Sequence, residues 1–236
     1  MVLSWEGSLP EPQVRTVDDI RSVLAYPECP CSGSIYFMYR GIAKNDDDQQ
    51  WFNKKHLRFD ITIIPAKTIC GEYVKTKGHY HPNAPSGIGY PELYEVIGGE
   101  AHYLLQNKTL DDIICIRATM GEKIIIPPGY GHVTINPSPL TTLTMANLVS
   151  SLFSSDYGPY EESHGGAYYE LLGGHFIKNL HYFNIPPLRC LHPKEYIALN
   201  ITKGISLYDL VEMREDLSYL NHPEHYLPIF NTFLAY

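Results

Sequence analysis

Residues 121–136 read GEKIIIPPGYGHVTIN. A short branched run, EKIII, is cut by Pro127, Pro128 and Gly129, and a second run begins at His132. β-Branched residues favour strands, and a Pro-Pro-Gly cluster ends one strand and turns the chain toward the next. Strand, tight turn, strand is the repeating unit of an antiparallel sheet. Moving outward, the same texture holds from about residue 35 to residue 157. LRFDITIIP, GEYVKTKGHYH, ELYEVIGG, EAHYLLQ, DIICIRA and LTTLTMANLV alternate with turn residues, and no βαβ alternation interrupts them. An even series of short strands predicts an all-β sandwich or barrel.

The flanks read differently. TVDDIRSVL places Thr16 three residues before Asp19, a capping-box start, with Val17, Ile20, Val23 and Leu24 at helical spacing. A short helix is expected there. NDDDQQ reads as an exposed acidic turn. Beyond SSDYGPYEESHGG the pattern changes: AYYELLGGHFIKNLHYFNIPPL fits helix or strand, whereas SLYDLVEMREDLSYL is predicted helical, with Leu207, Leu210, Val211, Met213 and Leu217 as its apolar face. The chain divides into an N-terminal extension (1–34), a barrel (35–164) and a partly helical C-terminal extension (165–236) packed on the barrel.

Composition bounds the partners. Hydrophobic residues make up 44% of the 236, enough for one buried core. No apolar run reaches the roughly 18 residues of a membrane span, and MVLSWEGSLPEP lacks the basic start and apolar stretch of a signal peptide, so a cytoplasmic protein is expected. Eighteen basic against 26 acidic residues give a net charge of −8, and no segment concentrates lysine and arginine. Nucleic acid is a poor partner for such a chain, whereas a small anion needs only a locally positive pocket. Five cysteines at positions 29, 31, 70, 115 and 190 form no regular framework, so structural disulfides are not expected and a reducing compartment is. The CPC at 29–31 lacks a second cysteine pair at zinc-site spacing and reads as a loop.

The chemistry lies in KGHYH, residues 77–81. Side chains two apart on a strand share a face, so His79 and His81 aim at one point. Downstream, Glu92 opens ELYEVIGG with Tyr94 on its face and Glu95 on the other, and His132 opens the strand after the Pro-Pro-Gly turn. Three imidazoles and a carboxylate from neighbouring strands suit a divalent transition metal and leave coordination positions open, unlike a closed structural site. Lys75, Thr76, Lys77 and Gly78, just before the histidines, supply charge, a hydroxyl and a close backbone approach for a phosphate.

These residues carry a resemblance. Gly121, Pro127, Gly129, His132 and Asn136 match the second motif of the cupin superfamily, and His79, His81, Glu92 and Gly99 resemble the first, with a ten-residue loop between His81 and Glu92 that is longer than in typical cupins. Within the cupins, IYFMYRG, FDITIIPAKTICGEYVKTKGHYHP, ELYEVIGGEAHYLLQ, IPPGYGHVTIN and DYG are similar to the archaeal glucose-6-phosphate isomerase family. The similarity covers roughly residues 35–160. Gly129 and Ser155 depart from that pattern, where relatives can carry a tyrosine and a histidine.

The resemblance implies a double-stranded β-helix, or jelly-roll barrel, that interconverts glucose 6-phosphate and fructose 6-phosphate. It implies His79, His81, Glu92 and His132 as ligands of one divalent metal, Fe2+ foremost, with Mn2+, Ni2+ or Zn2+ as other candidates. Thr62, Thr76 and Gly78 are implied at the phosphate, Tyr94 and Tyr157 in the sugar pocket, and a homodimer as the assembly. For moving hydrogen between C2 and C1, Glu92 is the candidate base, with Tyr94 beside it as a catalytic candidate, and a metal-assisted hydride shift that needs no base is the rival route. Alternatives are another cupin metalloenzyme, whether a sugar-phosphate isomerase or epimerase or an oxygenase, and a sugar-phosphate-binding cupin without turnover.

Overall fold

A computed structural model of the protein describes residues 5–233; the ends of both extensions, 1–4 and 234–236, lie outside the described residues. The strands are β1 (Gln13–Thr16), β2 (Ser34–Tyr39), β3 (Leu57–Ile64), β4 (Thr68–Ile69) and β5 (Glu72–Tyr73). Next come β6 (Glu92–Gly98), β7 (Glu100–Asn107), β8 (Ile113–Thr119), β9 (Lys123–Ile126), β10 (Tyr130–Ile135) and β11 (Leu143–Ser150). The last are β12 (Tyr168–Leu171), β13 (His175–Lys178) and β14 (Arg189–Leu191). Helices are α1 (Val17–Ile20), α2 (Asp46–Lys55), α3 (Gly158–Glu162), α4 (Leu207–Glu212) and α5 (Leu227–Phe233).

A six-stranded sheet, ordered β1-β2-β3-β11-β6-β9, faces a four-stranded sheet, β10-β7-β8-β14, and the two form the jelly-roll barrel expected of a cupin. A small third sheet, β13-β12-β5-β4, lies beside them. Alternation along β3 shows how the large sheet serves two surfaces. Phe59 and Ile61 face outward into an apolar layer with Leu93, Leu148, Leu207, Leu210, Val211 and Tyr219, so the C-terminal helices cover that face. Arg58, Asp60 and Thr62 point the opposite way, into a cavity inside the barrel. Beneath the cavity, Val96, Tyr103, Leu105, Ile114 and Ile126 close the core between the sheets.

Near the start, Thr16 and Asp19 form the expected capping box, and α1 continues as a single 3₁₀ turn through Val23. Several elements depart from the sequence reading. NDDDQQ is the start of α2 rather than a turn: Asn45 caps it, and three aspartates occupy the first turn, where the helix dipole favours negative charge. The segment GEYVKTKGHYH is strand only at β5, with isolated bridges at Lys75, His79 and Tyr80, because Gly78 takes a φ of +84° that breaks the pleat. The ambiguous stretch after residue 166 supplies the hairpin β12–β13, turned by Gly173 and Gly174.

The helix predicted over residues 206–220 stops at Glu212. Arg214 adopts a left-handed φ of 57°, its amide bonds Val211, and the Glu215 amide bonds Leu210, which caps the helix without a glycine. Arg214 is held there by buried Asp48 at 2.6 Å, and Met213 is left exposed. The sheets are not wholly antiparallel either, since β14 joins β8 in parallel.

One cysteine expectation is overturned: Cys29 and Cys70 form a disulfide across 41 residues. No framework announces it because its halves come from unrelated loops, which β2–β3 pairing and the packing of α1 bring to a Cα separation of 6.0 Å.

Candidate metal and active site

Four side chains meet on the cavity wall. His79 and His81 arrive on the irregular strap before β6, Glu92 at the start of β6, and His132 on β10. The strap is held to β10 by reciprocal His79 and His132 backbone hydrogen bonds of 3.2 and 3.0 Å, which places the two rings 4.4 Å apart. The Nε2 atoms of His79 and His81 are 3.2 Å apart, and Glu92 Oε2 lies 3.3 Å from His81 Nε2 and 3.4 Å from His132 Nε2. One donor atom from each of the four thus falls within 4.8 Å of the others.

The hydrogen bonds around this cluster leave its centre unsatisfied. His81 Nδ1 is 2.8 Å from the Tyr90 carbonyl, which accepts only if that nitrogen carries the proton, so Nε2 presents a lone pair to the centre. Asn147 donates to Glu92 Oε1 at 2.7 Å, while Oε2 is buried without a hydrogen-bond partner. Buried lone pairs converging without protons repel one another, and a cation is what reconciles them. The residues therefore fit a divalent metal by their donor set and by the orphaned Oε2.

Electrostatics agree. Burial pushes the His132 pKa down to about 4, with His81 adding to the effect and Glu92 opposing it. Burial, then His132 and His81, hold His79 well below the ordinary imidazole value. Burial alone would raise Glu92, but the neighbouring His81, followed by His132 and Arg58, outweighs it and lowers its pKa. Neutral imidazoles and an ionised carboxylate are the forms that bind metal. Glu95, on the opposite face of β6, accepts from the Leu207 amide and pairs with Lys123, away from the cavity.

The cavity has a volume of about 320 Å³ and is lined by His79, His81, Glu92, His132, Thr62, Thr76, Tyr94 and Tyr157 among others. Tyr94 Oη is 3.2 Å from His132 Nε2, and burial, then Glu92, raises its pKa well above the ordinary phenol value, so it stays protonated. Thr76 Oγ1 accepts from the Thr134 amide at 2.9 Å and keeps its own proton available. The Tyr157 ring lies 5.3 Å from His79 and under the Lys77 ammonium. At Gly78 the φ of +84° already favours glycine, and an added Cβ would stand 2.5 Å from the Tyr160 ring and 2.7 Å from Val133, so backbone and packing both require it.

Sequence reasoning missed the charged wall. Arg15, Arg40 and Arg58 line the cavity beside Lys77, giving four cations against the two carboxylates Asp60 and Glu92. Asp60 is buried and bonds Arg58 Nε at 2.9 and 3.0 Å, Arg40 at 3.4 Å and the Gly41 amide at 2.8 Å. The alternation Arg58, Asp60, Thr62 along β3 is the signal that could have found it. Tyr90, Asn147 and Phe153 were equally silent: Phe153 packs on His81 and Tyr90, at 4.6 and 4.8 Å between ring centres.

Residues 14–184 match the family model described as Glucose-6-phosphate isomerase (GPI). The chain belongs to the glucose-6-phosphate isomerase family. All of the clustered side chains lie inside the matched span. The glucose-6-phosphate isomerase of Thermococcus litoralis is 30% identical over 106 residues, which is 45% of this chain and 53% of that one. The chain thus aligns with about half the length of the curated relative it matches. Among solved structures, peruvianin-I, a cysteine peptidase from Thevetia peruviana latex, shares 18% identity with a TM-score of 0.39, covering 52% of this chain and 66% of that one. The vicilin of Corylus avellana shares 11% at a TM-score of 0.39 over 71% of this chain and 31% of its own.

Proposed function

We propose that this member of the glucose-6-phosphate isomerase family is a metal-dependent aldose-ketose isomerase that interconverts glucose 6-phosphate and fructose 6-phosphate. The observation that carries the reading is the orphaned Glu92 Oε2 among three imidazoles, at one side of a cavity whose other walls hold Arg15, Arg40, Arg58, Lys77, Thr62 and Thr76. His79, His81, Glu92 and His132 would hold the ion, and we take Fe2+ as the first to test. When bound, a divalent ion withdraws electron density from the oxygens on C1 and C2 of the sugar.

The remaining work falls to the chain itself. A dianionic phosphate suits the excess of cations, with the Thr62 and Thr76 hydroxyls as donors, and that contact fixes which end of the sugar faces the histidines. Isomerisation moves hydrogen between C2 and C1 while the carbonyl changes place. Glu92 is ionised at neutral pH and, where substrate takes its place at the ion, its freed oxygen can take the proton at one carbon and return it at the other, while protonated Tyr94 can donate a hydrogen bond to a sugar oxygen; a hydride shift between the two carbons, which needs no base, is the rival route. Tyr157 closes the wall beside His79. A homodimer is the assembly we propose.

The test is a coupled assay with fructose 6-phosphate, following glucose 6-phosphate, before and after chelation with EDTA and with Fe2+, Mn2+, Ni2+ or Zn2+ restored. Activity should vanish on chelation and return with one ion, and His81→Ala should lose metal and turnover together. An active His81→Ala protein that resists chelation would overturn the site.

A further inference from the structure

The disulfide has a third thiol beside it. Cys29, Cys31 and Cys70 have their sulfurs all within 4.8 Å of one another, with Cys29 buried, Cys31 half-buried and Cys70 exposed. The CPC loop is held from behind. Arg21 donates to the carbonyls of Pro27, Cys29 and Cys31 at 3.1, 2.7 and 3.0 Å, and its guanidinium is paired with Asp18. Two cysteines are therefore presented on a fixed loop opposite the third.

We propose that in the reduced chain these three cysteines form a soft-metal site, a second one distinct from the histidine cluster and independent of the proposed isomerase activity. A zinc–sulfur bond of about 2.3 Å requires thiolates roughly 3.8 Å apart, the separation that two sulfurs reach once the bond between them is broken. Reduction by an external dithiol passes two electrons and two protons to Cys29 and Cys70 and leaves the reductant as a disulfide. Binding of the ion then releases the thiol protons, and solvent completes the fourth position on the exposed side at Cys70. Cys70 lies near the start of the strap that carries Thr76, Lys77, His79 and His81, and Cys31 precedes β2, which carries Tyr36 and Met38 of the cavity wall and is followed directly by Arg40. Disulfide and metal would each tie the strap to the same loop, one in oxidising and one in reducing conditions.

The experiment titrates Co2+ alone into the full chain, reduced with a dithiol that is then removed without oxygen. A thiolate-to-cobalt band in the near ultraviolet reports cysteine coordination, which the histidine cluster does not produce. Reduced His81→Ala should develop the band at one equivalent and reduced wild type within two, the histidine cluster taking the other ion, and Zn2+ should bleach it. Oxidised wild type should show none. Cys31→Ser, which keeps the Cys29–Cys70 pair and whose folding is checked in its oxidised form, should weaken binding at least tenfold. Cys190→Ser, which removes the thiol opposite Cys115 in the β14–β8 pair, should leave the band unchanged. No thiolate band in the reduced wild type, or an equally tight one in Cys31→Ser, would overturn the proposal.

Discussion

At the scale of single residues, what distinguishes the site is how its four clustered side chains are oriented. Asn147 occupies one oxygen of Glu92 and leaves the other free for the centre. Hydrogen-bonding partners of this kind commonly control metal affinity by about 10–100-fold. Asn147→Ala is expected to weaken metal binding by that factor in equilibrium dialysis, while Asn147→Asp, which also cannot donate and adds a negative charge beside Glu92, should not rescue it. The buried histidines set an acid limit on stability. His132 has a pKa of about 4 in the folded protein against an ordinary 6.5, so unfolding takes up a proton between these values. Its contribution is present above about pH 6.5 and is lost as the pH falls toward 4, amounting to roughly 3 kcal/mol for the metal-free protein. Denaturant melts of the apoprotein across that range should show the decline, and His132→Asn should flatten it.

At the scale of elements, the strap from Thr68 to His81 is the part on which the site depends most. Only β4 and β5 pair regularly within it; the rest hangs on isolated bridges, on the Thr76 and His79 backbone bonds and on the disulfide at Cys70. Closing a loop of this length stabilises by roughly 4 kcal/mol in the chain-entropy account. Replacing both Cys29 and Cys70 by serine should lower the denaturant midpoint of the oxidised protein by a corresponding amount. Hydrogen exchange should locate the loosening in residues 68–81, with the β7–β8 pair unaffected. A uniform loss of protection would mean that the disulfide stabilises the barrel as a whole.

The barrel itself was legible because β8 and β9 are rich in branched residues, β7 and β11 are largely apolar, and turn residues bound them all. The strap was not, since KGHYH has strand composition but Gly78 must leave the pleat to pack against Tyr160. Nor was α2, whose aspartates look like a turn until Asn45 is seen to cap them. The early stop of α4 depends on Asp48, distant in sequence, fixing Arg214.

At the scale of the whole molecule, a chain of net charge −8 keeps a cavity with twice as many cations as carboxylates. Four basic side chains converge from β1, the residue after β2, β3 and the strap, so the local potential opposes the global one. Attraction of a dianionic sugar phosphate by such a pocket is screened by salt, with a Debye length of about 8 Å at physiological ionic strength. Raising NaCl should therefore lower kcat/KM mainly through KM. Arg58→Gln should make the salt dependence shallower, and a slope unchanged by that substitution would show that the arginine wall does not steer substrate.

The sequence by itself determined the strand series, the two histidine-bearing motifs and the choice of His79, His81, Glu92 and His132 as candidate ligands, because strand periodicity and turn chemistry are local and metal ligands come from a short menu of side chains. Tertiary structure alone decided which groups orient those ligands, which strands deliver the arginines, and which cysteines meet. Tyr90, Asn147, Arg15 and Cys70 have no local signature; they acquire their partners only when sheet pairing brings distant strands and loops within a hydrogen bond or a covalent bond of each other.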